Sequence, residues 1–594
     1  MILAGIALLG VEAGRAIALE TLDFQAPGAS PELAKELRAA SLLVAAERDG
    51  TTDPQDVFAA AQSEYARLLG ALYGRGYYSP VIHVLVDGRE AAGIAPLDSP
   101  ATIRRVEVTV TPGPVFAFSR AEIAPLAPDT ELPAGFAVGK VAESGMIQEA
   151  AAAAISGWRS VGHAKAEVGD QNLAVDHAAE TLSAQIGMRP GPKLRFGTFA
   201  VEGQSRMRED RIRAIAGFPE GEVFDPAKLS KSADRLRRAG VFKSVSLTEA
   251  EMPGPNGTLD IGAMLVEELP RRYGFGAEIG SSEGLELSGY WLHRNLFGGA
   301  ERLRFDGSIT NIGSSSSGTD YIFAVTLERP ATFTPDTLAS VTLGLEHLDE
   351  EDQQIDLAVI GMNATQFVSD RLTLGVGVEY RAQEVSDISG DYSYRDLGFP
   401  VNGTYDARND KFNATKGYFL DGEIMPFLGF DETESGGMVT LDARAYHNLS
   451  EGKPLVLAGR MQVGSILGAS LIGTPRNLLF YSGGAGTVRG QPYESLGVYV
   501  ISPDQKTGGT QFMALSGEVR AMVTDTIGVV GFYDAGFVGY GDFLDENEGA
   551  WQAGAGLGLR YVTGLGPIRL DIGGPVMGDT GDGIQVYVGI GQAF

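Results

Sequence analysis

From Arg271 to Phe594 the chain alternates apolar and polar residues in short runs, with almost no helical period to compete. In Arg371–Gln383, Leu372, Leu374, Val376, Val378 and Tyr380 share one face, while Thr373, Gly375, Gly377, Glu379 and Arg381 share the other. Met513–Val523 sets Leu515, Val519, Ala521 and Val523 against Ser516, Glu518 and Arg520, and Pro567–Gly573 sets Ile568, Leu570 and Ile572 against Arg569 and Asp571. Gly, Asn, Asp and Ser punctuate these runs every eight to twelve residues or so. Such a pattern folds only as antiparallel sheet, and two closures satisfy it. A soluble sandwich turns its polar face to water. A membrane barrel turns its apolar face to lipid and its polar face to a lumen. No interior stretch supplies the roughly 18 consecutive apolar residues of a spanning helix, and a mean hydropathy of +0.00 is what alternating strands average to. The 324 residues after 270 would give sixteen strands of about 20 residues each with connections, against roughly 9–11 needed to span. Ile584–Phe594 reads as an alternating strand to its aromatic end.

The first 270 residues differ in kind. Met1–Val11 is an apolar run too short to span, and Ala16-Ile17-Ala18 offers a small-x-small cleavage pattern before Leu19. Helical periodicity marks Pro31–Ala46, Pro54–Leu72, Ser144–Trp158 and Asp225–Ala239. A helix ending in Gly, then a bulky residue, then a strand occurs three times, at Gly76, Gly162 and Gly240, where a left-handed residue ends a helix. Thr102–Val110 and Leu194–Glu202 read as strands opening the second and third copies. The expected organisation is an export signal at 1–18, α+β repeats at 19–100, 101–190 and 191–269, and an all-β barrel at 270–594. Jointed α+β repeats bind chains or partners more often than they perform chemistry.

Charge and composition narrow the function. The net charge is −29, with −9 in residues 1–270 and −20 beyond, an unsuitable field for nucleic acid. There is no cysteine, which excludes thiolate metal sites and a cysteine nucleophile. His83, His163, His177, His293, His347 and His447 are scattered and form no HExxH. Asp349–Asp352 reads as a solvated acidic loop, and the glycines of Gly554–Gly558 as barrel glycine rather than a phosphate loop. Neither an enzyme nor a cofactor is expected. The basic residues Arg206, Arg208, Arg211, Arg213, Lys228, Lys231, Arg235, Arg237 and Arg238 of the third repeat admit two readings, a solvated helix face or a dock onto an acidic barrel rim.

Four segments, in order, carry a resemblance. They are Trp291–Gly298 (WLHRNLFG), Asp406–Gly417 (DARNDKFNATKG), Val488-Arg489-Gly490, and Phe532–Gly536 (FYDAG) followed by Gly558–Pro575. Together they resemble the BamA/TamA superfamily of outer-membrane assembly and translocation barrels, and the repeats resemble its polypeptide-transport-associated (POTRA) domains. Three repeats and Tyr493–Gly497 are similar to the TamA branch. The resemblance implies sixteen antiparallel strands and an outer-membrane location with periplasmic repeats. It implies unfolded outer-membrane clients, outer-membrane lipid and a TamB-like inner-membrane-anchored partner. It also implies that Val488, Arg489 and Gly490 form the tip of a long sixth loop, with Arg489 paired to Asp534. A buried guanidinium needs such a partner. Ala414 stands where a Pro is usual. Gln491 stands where an aromatic follows VRG, implying weaker stacking of the tip or stacking supplied by Tyr493.

The seam between first and last strands is the expected working element, with Gly274, Gly276 and Gly280 on one side and Gly589, Gly591 and Phe594 on the other. Glycine weakens strand pairing, so an opened seam would offer backbone groups to a client strand. The same glycines would also suit barrel curvature alone. A two-partner secretion transporter, which carries two repeats, and a passive porin, which needs none, are the alternatives.

Overall fold

A computed structural model describes residues 21–594 except 52, 281–283, 314–317, 350–352, 451, 504, 565 and 579–582. The expected export signal and Glu350–Asp352 of the acidic run therefore lie outside the described residues. Two compact units emerge. One comprises the described residues up to Thr198, Pro219–Leu229 and Glu249–Ile261; the other comprises Phe199–Phe218, Ser230–Thr248 and the described residues from Gly262 to Phe594.

Three small mixed α/β sheets precede the barrel. In the first, Arg105–Thr111 lies between Thr21–Gln25, to which it is parallel, and Val81–Val86, to which it is antiparallel. The helix Pro54–Tyr73 covers this sheet, burying Val57, Phe58, Ala61, Leu68 and Leu72 with Val84, Val106, Val108 and Val110. The strand expected to open the second repeat thus completes the first sheet, because its alternating Val106, Val108 and Val110 fill that core. The second sheet runs Ala117–Ala124, Thr181–Arg189, Glu167–Asp176, under the helix Ser144–Ser160. The third runs Arg195–Glu202, Thr258–Glu267, Phe242–Glu249, and its helices are Glu209–Ala216 and Pro226–Arg238. Gly76, Gly162 and Gly240 all hold positive φ, at 81°, 106° and 71°. The helix expected over 31–46 breaks at Ser41. Its hydroxyl caps a second helix, Leu42–Arg48, through Val44 N, and buried Glu64 accepts from Leu42 N at 2.8 Å.

The remainder forms one large antiparallel sheet from Arg271–Gly280 to Gln585–Ile590, each strand paired with its successor in sequence along the barrel wall. It comprises sixteen spanning strands, the eighth split into Gly390–Gly398 and Val401–Asp406. The split falls at Phe399-Pro400, where a proline cannot donate to the ladder; both pieces still pair with the seventh and ninth strands. The faces divide as their alternation requires. Val519 is 49% exposed on the outside while Glu518, next to it, is 2% exposed on the inside. Among the described residues no pairing joins the first strand to the last.

Candidate functional site: the seat of the sixth loop

Between the eleventh strand (Leu455–Leu467) and the twelfth (Gln511–Met522) the chain makes a long connection, the sixth on that side of the sheet. This loop carries Arg476–Leu478 as a single 3-10 turn and the small hairpin Val498–Ser502 with Gln505–Thr507. Its tip folds back against the inner wall. Four successive wall strands receive it: the twelfth, the thirteenth (Ile527–Gly539), the fourteenth (Gly549–Thr563) and the fifteenth (Gly566–Met577).

Arg489 is the centre, at 2% exposed. Its Nε donates to Asp534 Oδ2 at 2.7 Å and its Nη2 to Asp534 Oδ1 at 3.0 Å, the side-on fork of an arginine–carboxylate pair. The Arg489 backbone N also donates to Asp534 Oδ2, at 3.1 Å. On the other side Nη1 reaches Glu518 Oε1 at 2.5 Å and Asp571 Oδ2 at 3.2 Å. The guanidinium lies 3.8 Å over the ring of Phe532, a cation–π contact strengthened by burial. Sequence brings Asp534 forward; Glu518 and Asp571 join only through register. Each already stood on the polar side of its alternating strand, which was the available signal. The extra acid is balanced by Arg520 on Glu518 at 2.6 Å and by Arg560 hydrogen-bonded to Asp571. Four arginines counting Arg569, whose Nε stands 3.9 Å from Asp571, thus share three carboxylates, so no charge is buried alone.

The wall is shaped for close approach. Gly490 has φ +92°, and a side chain there would meet Gly574 O at 2.5 Å. A Cβ at Gly554 would stand 2.0 Å from Arg489 O, and one at Gly536 would stand 2.8 Å from Val488 Cγ2. Val488 is fully buried there. Two glycines expected to be general barrel glycine are therefore specific: Gly554 admits the loop backbone, and Gly558 gives room to the Asp571 carboxylate, 2.1 Å from where its Cβ would be.

Gln491 is not a weakened aromatic. Its side chain is fully buried and its Nε2 donates to Ala553 O at 3.0 Å and Met577 O at 3.1 Å. Those carbonyls flank a register shift between the fourteenth and fifteenth strands, where a bulge interrupts the ladder. An amide can donate to both; a phenyl ring could donate to neither. Tyr493 does not replace the missing ring, being 65% exposed. Phe532, under the guanidinium, supplies the aromatic contact from the wall instead.

The seam residues are placed as follows. Gly274 and Gly276 face inward opposite Tyr290 and Ser288. A Cβ on Gly274 would be 2.1 Å from the Tyr290 ring, so a cross-strand aromatic covers this glycine. Gly280 ends the first strand opposite Gly284. Gly589 faces Arg569, with Nη2 3.2 Å from a would-be Cβ. The last strand stops at Ile590, shorter than its alternation implied. Gly591 adopts φ +95° and turns the chain inward. Phe594 therefore leaves the seam and packs with Ala414, Tyr446, Val456 and Ala458 in the lumen, its carbonyl accepting from Arg520 Nη2 at 3.1 Å. Ala414, standing in place of a proline, is part of that cluster.

The third-repeat basic residues separate into both classes that the sequence left open. Arg213, Arg237 and Lys228 pair with Glu209, Asp234 and Glu222 on exposed surface. Lys231, Arg235 and Arg238 converge on Asp336, in the turn between the fourth and fifth strands, with Arg235 Nη2 at 2.6 Å and Arg238 Nη2 at 2.8 Å. Hydrogen bonds from Arg235, ahead of those from Arg238, hold the Asp336 carboxyl well below the usual carboxylate range. Arg211 Nη2 donates to Pro330 O at 2.6 Å, and Arg238 lies 4.0 Å over the Phe367 ring. The RNLFG turn joins the same dock, Arg208 N donating to Gly298 O at 2.9 Å. Burial opposes ionisation of Glu267, yet the N–H groups of Met207, Ser205 and Arg206 pull its pKa down to about 2.

A sixteen-stranded barrel whose sixth loop is clamped inside by an arginine, preceded by POTRA-like sheets, defines a class of outer-membrane-type barrel. The Omp85 superfamily domain matches residues 295–594, and the POTRA surface antigen variable number repeat matches residues 194–262. The chain belongs to the Omp85 superfamily. It is 23% identical over 448 residues to the outer membrane protein assembly factor BamA of Nitratidesulfovibrio vulgaris, covering 70% of this chain and 53% of that one. It is 23% identical over 497 residues to the BamA of Neisseria meningitidis serogroup B, covering 72% and 60%. The chain thus spans a little over half the length of these relatives. Among solved structures, BamA from Haemophilus ducreyi lacking POTRA domains 1-3 superposes with a TM-score of 0.61 at 17% identity, covering 80% of this chain and 99% of that one. CdiB from Acinetobacter baumannii gives 0.50 at 12% identity, over 78% and 87%. These likenesses concern the fold.

Proposed function

We propose that the protein is an outer-membrane assembly factor that inserts or translocates client polypeptides through the seam between its first and last strands. The observation that carries this reading is the unpaired edge on each side of that seam among the described residues. Free N–H and C=O groups along Arg271–Gly280 can be satisfied by an incoming strand, and the last strand, held to one neighbour over only six residues, Gln585–Ile590, is the weaker edge. Arg489, Val488 and Gly490, locked to Asp534, keep the lumen shaped while the seam works. Relatives named as outer membrane protein assembly factors support the same activity. In this reading the small sheets lie in the periplasm as POTRA repeats, and their free edges receive unfolded outer-membrane proteins.

Three such sheets among the described residues, together with Tyr493–Gly497, favour the TamA branch and a TamB-like partner. A two-partner secretion transporter would have two. Reconstitution into liposomes of outer-membrane lipid composition tests the reading. Client barrels should reach a protease-resistant, heat-modifiable form faster with the protein than without it, and photo-crosslinkers at Phe275 or Val588 should trap client strands. Equal client folding in empty liposomes would overturn it.

A further inference from the structure

The phenol of Tyr587 stands where the loop tip meets the last strand. Its hydroxyl accepts from Gly490 N at 3.0 Å and donates to Gln491 O at 3.3 Å. Tyr587 faces inward opposite Asp571 in the ladder, and Asp571 accepts from Arg489 Nη1 at 3.2 Å. One cross-strand pair therefore grips the tip twice, through the fifteenth strand by charge and through the sixteenth by the phenol.

The other wall contacts of Val488–Gln491 fall on the twelfth to fifteenth strands, each held by a neighbour on both sides. Among the described residues the last strand is different, paired on one side only and from Gln585 to Ile590. Beyond Ile590 the chain is anchored by Gly591 N on Pro567 O and by Phe594 on Arg520; within 585–590 the phenol adds a restraint that comes from the loop. The outward residues of that strand, Val586 and Val588, are 59% and 68% exposed.

We propose that Tyr587 is a positioning residue that couples the seated sixth loop to the last strand. With Arg489 in its carboxylate cage, Gly490 and Gln491 are held where the phenol can bridge them, and the strand is restrained. When the tip lifts, the bridge breaks and the strand edge loosens; when a client displaces the strand, the tip loses a contact in turn. Such coupling is reciprocal by thermodynamic necessity. The inference rests on the seam being the working element, but it concerns the protein without client.

Hydrogen exchange on the full protein in lipid nanodiscs, without client, tests it. Tyr587→Phe keeps the ring and removes the hydroxyl. It should speed exchange of amides 585–590 about three- to tenfold, the range expected for one hydrogen bond, and leave amides 105–111 unchanged. Arg489→Ala should speed the same amides in the Tyr587 background and add little once Tyr587 is Phe. Should Arg489→Ala fail to assemble, Arg489→Lys keeps the charge, loses the fork and gives the same comparison. In the reciprocal direction, Tyr587→Phe should raise trypsin cleavage after Arg489 by a similar factor. Equal acceleration by the Arg489 variant with and without the hydroxyl, or unchanged exchange in Tyr587→Phe, would overturn the coupling. A wild-type protein that shows the coupling but assembles no client would overturn the proposed function alone.

Discussion

Arg489 illustrates how a single cation can be both costly and required. Taking a guanidinium out of water is unfavourable by several kcal/mol, and only a full set of anionic acceptors offsets it. Here Asp534, Glu518 and Asp571 do so, with Phe532 beneath. Removing the cation is then worse than never having buried it, because the carboxylates remain facing one another. Arg489→Ala should cost the loop seat about 3–5 kcal/mol, read as proteinase K cleavage between Ser482 and Gly497 that the parent resists. Gln491 offers the subtler case. Gln491→Phe restores the residue the resemblance leads one to expect, yet it would strip Ala553 O and Met577 O of their donor. We expect that variant to be less stable by about 1–3 kcal/mol, measured as a lower midpoint of heat-induced mobility shift; an unchanged or higher midpoint would show that the bulge needs no donor.

At the scale of elements, strand and loop are complementary through what the strands lack. Gly554 has nothing to offer but space, and a methyl there would stand 2.0 Å from the Arg489 carbonyl oxygen. Gly554→Ala should therefore unseat the tip while leaving the ladder paired, visible as loop proteolysis without loss of the folded barrel band. The helix Pro226–Arg238 docks by the opposite means, three cations on one carboxylate. Asp336 titrates below its ordinary 3.8 when folded, so its contribution is present above that value and is lost as pH falls through the lower folded value. The dock should accordingly be unchanged from pH 8 to 5 and weaken only below about pH 4. Asp336→Asn should loosen it at every pH, read as faster exchange of amides 230–238. About half of this was legible beforehand. The basic cluster was visible, but which of its members turn inward was not, since Asp336 lies about a hundred residues away and meets them only through tertiary packing.

For the whole molecule, the seam and the plug are separate devices with separate tests. The tip on the wall and Phe594 with Tyr446 both occupy the lumen, so a wide open pore is not expected. Conductance in planar bilayers should be low for the parent and rise on Arg489→Ala; a large steady conductance in the parent would favour a porin. No native cysteine interferes with engineered ones. A disulfide closing the first strand onto the last should abolish client assembly and reducing agent should restore it, whereas undiminished assembly by locked protein would remove the seam from the mechanism.

Alternation, a purely local property, was sufficient to determine that residues 271–594 form antiparallel sheet and which side chains share a face, because period two leaves no other face for them; it left sandwich and barrel both open. Local signals likewise marked most of the helices and their terminal glycines, whereas the pairing of Arg489 was expected only from the family resemblance. Contacts between distant segments decided the rest. Ser41 and Glu64 split a helix whose periodicity was continuous, and the core of the first sheet claimed Arg105–Thr111 from the repeat that follows. Gly591 turned Phe594 away from the strand its alternation described. Glu518, Asp571 and Tyr587 reached the loop tip only because strand register aligned them. Period specifies the face a residue occupies; the partner it meets there depends on register and closure, which the chain sets only when all its strands are in place.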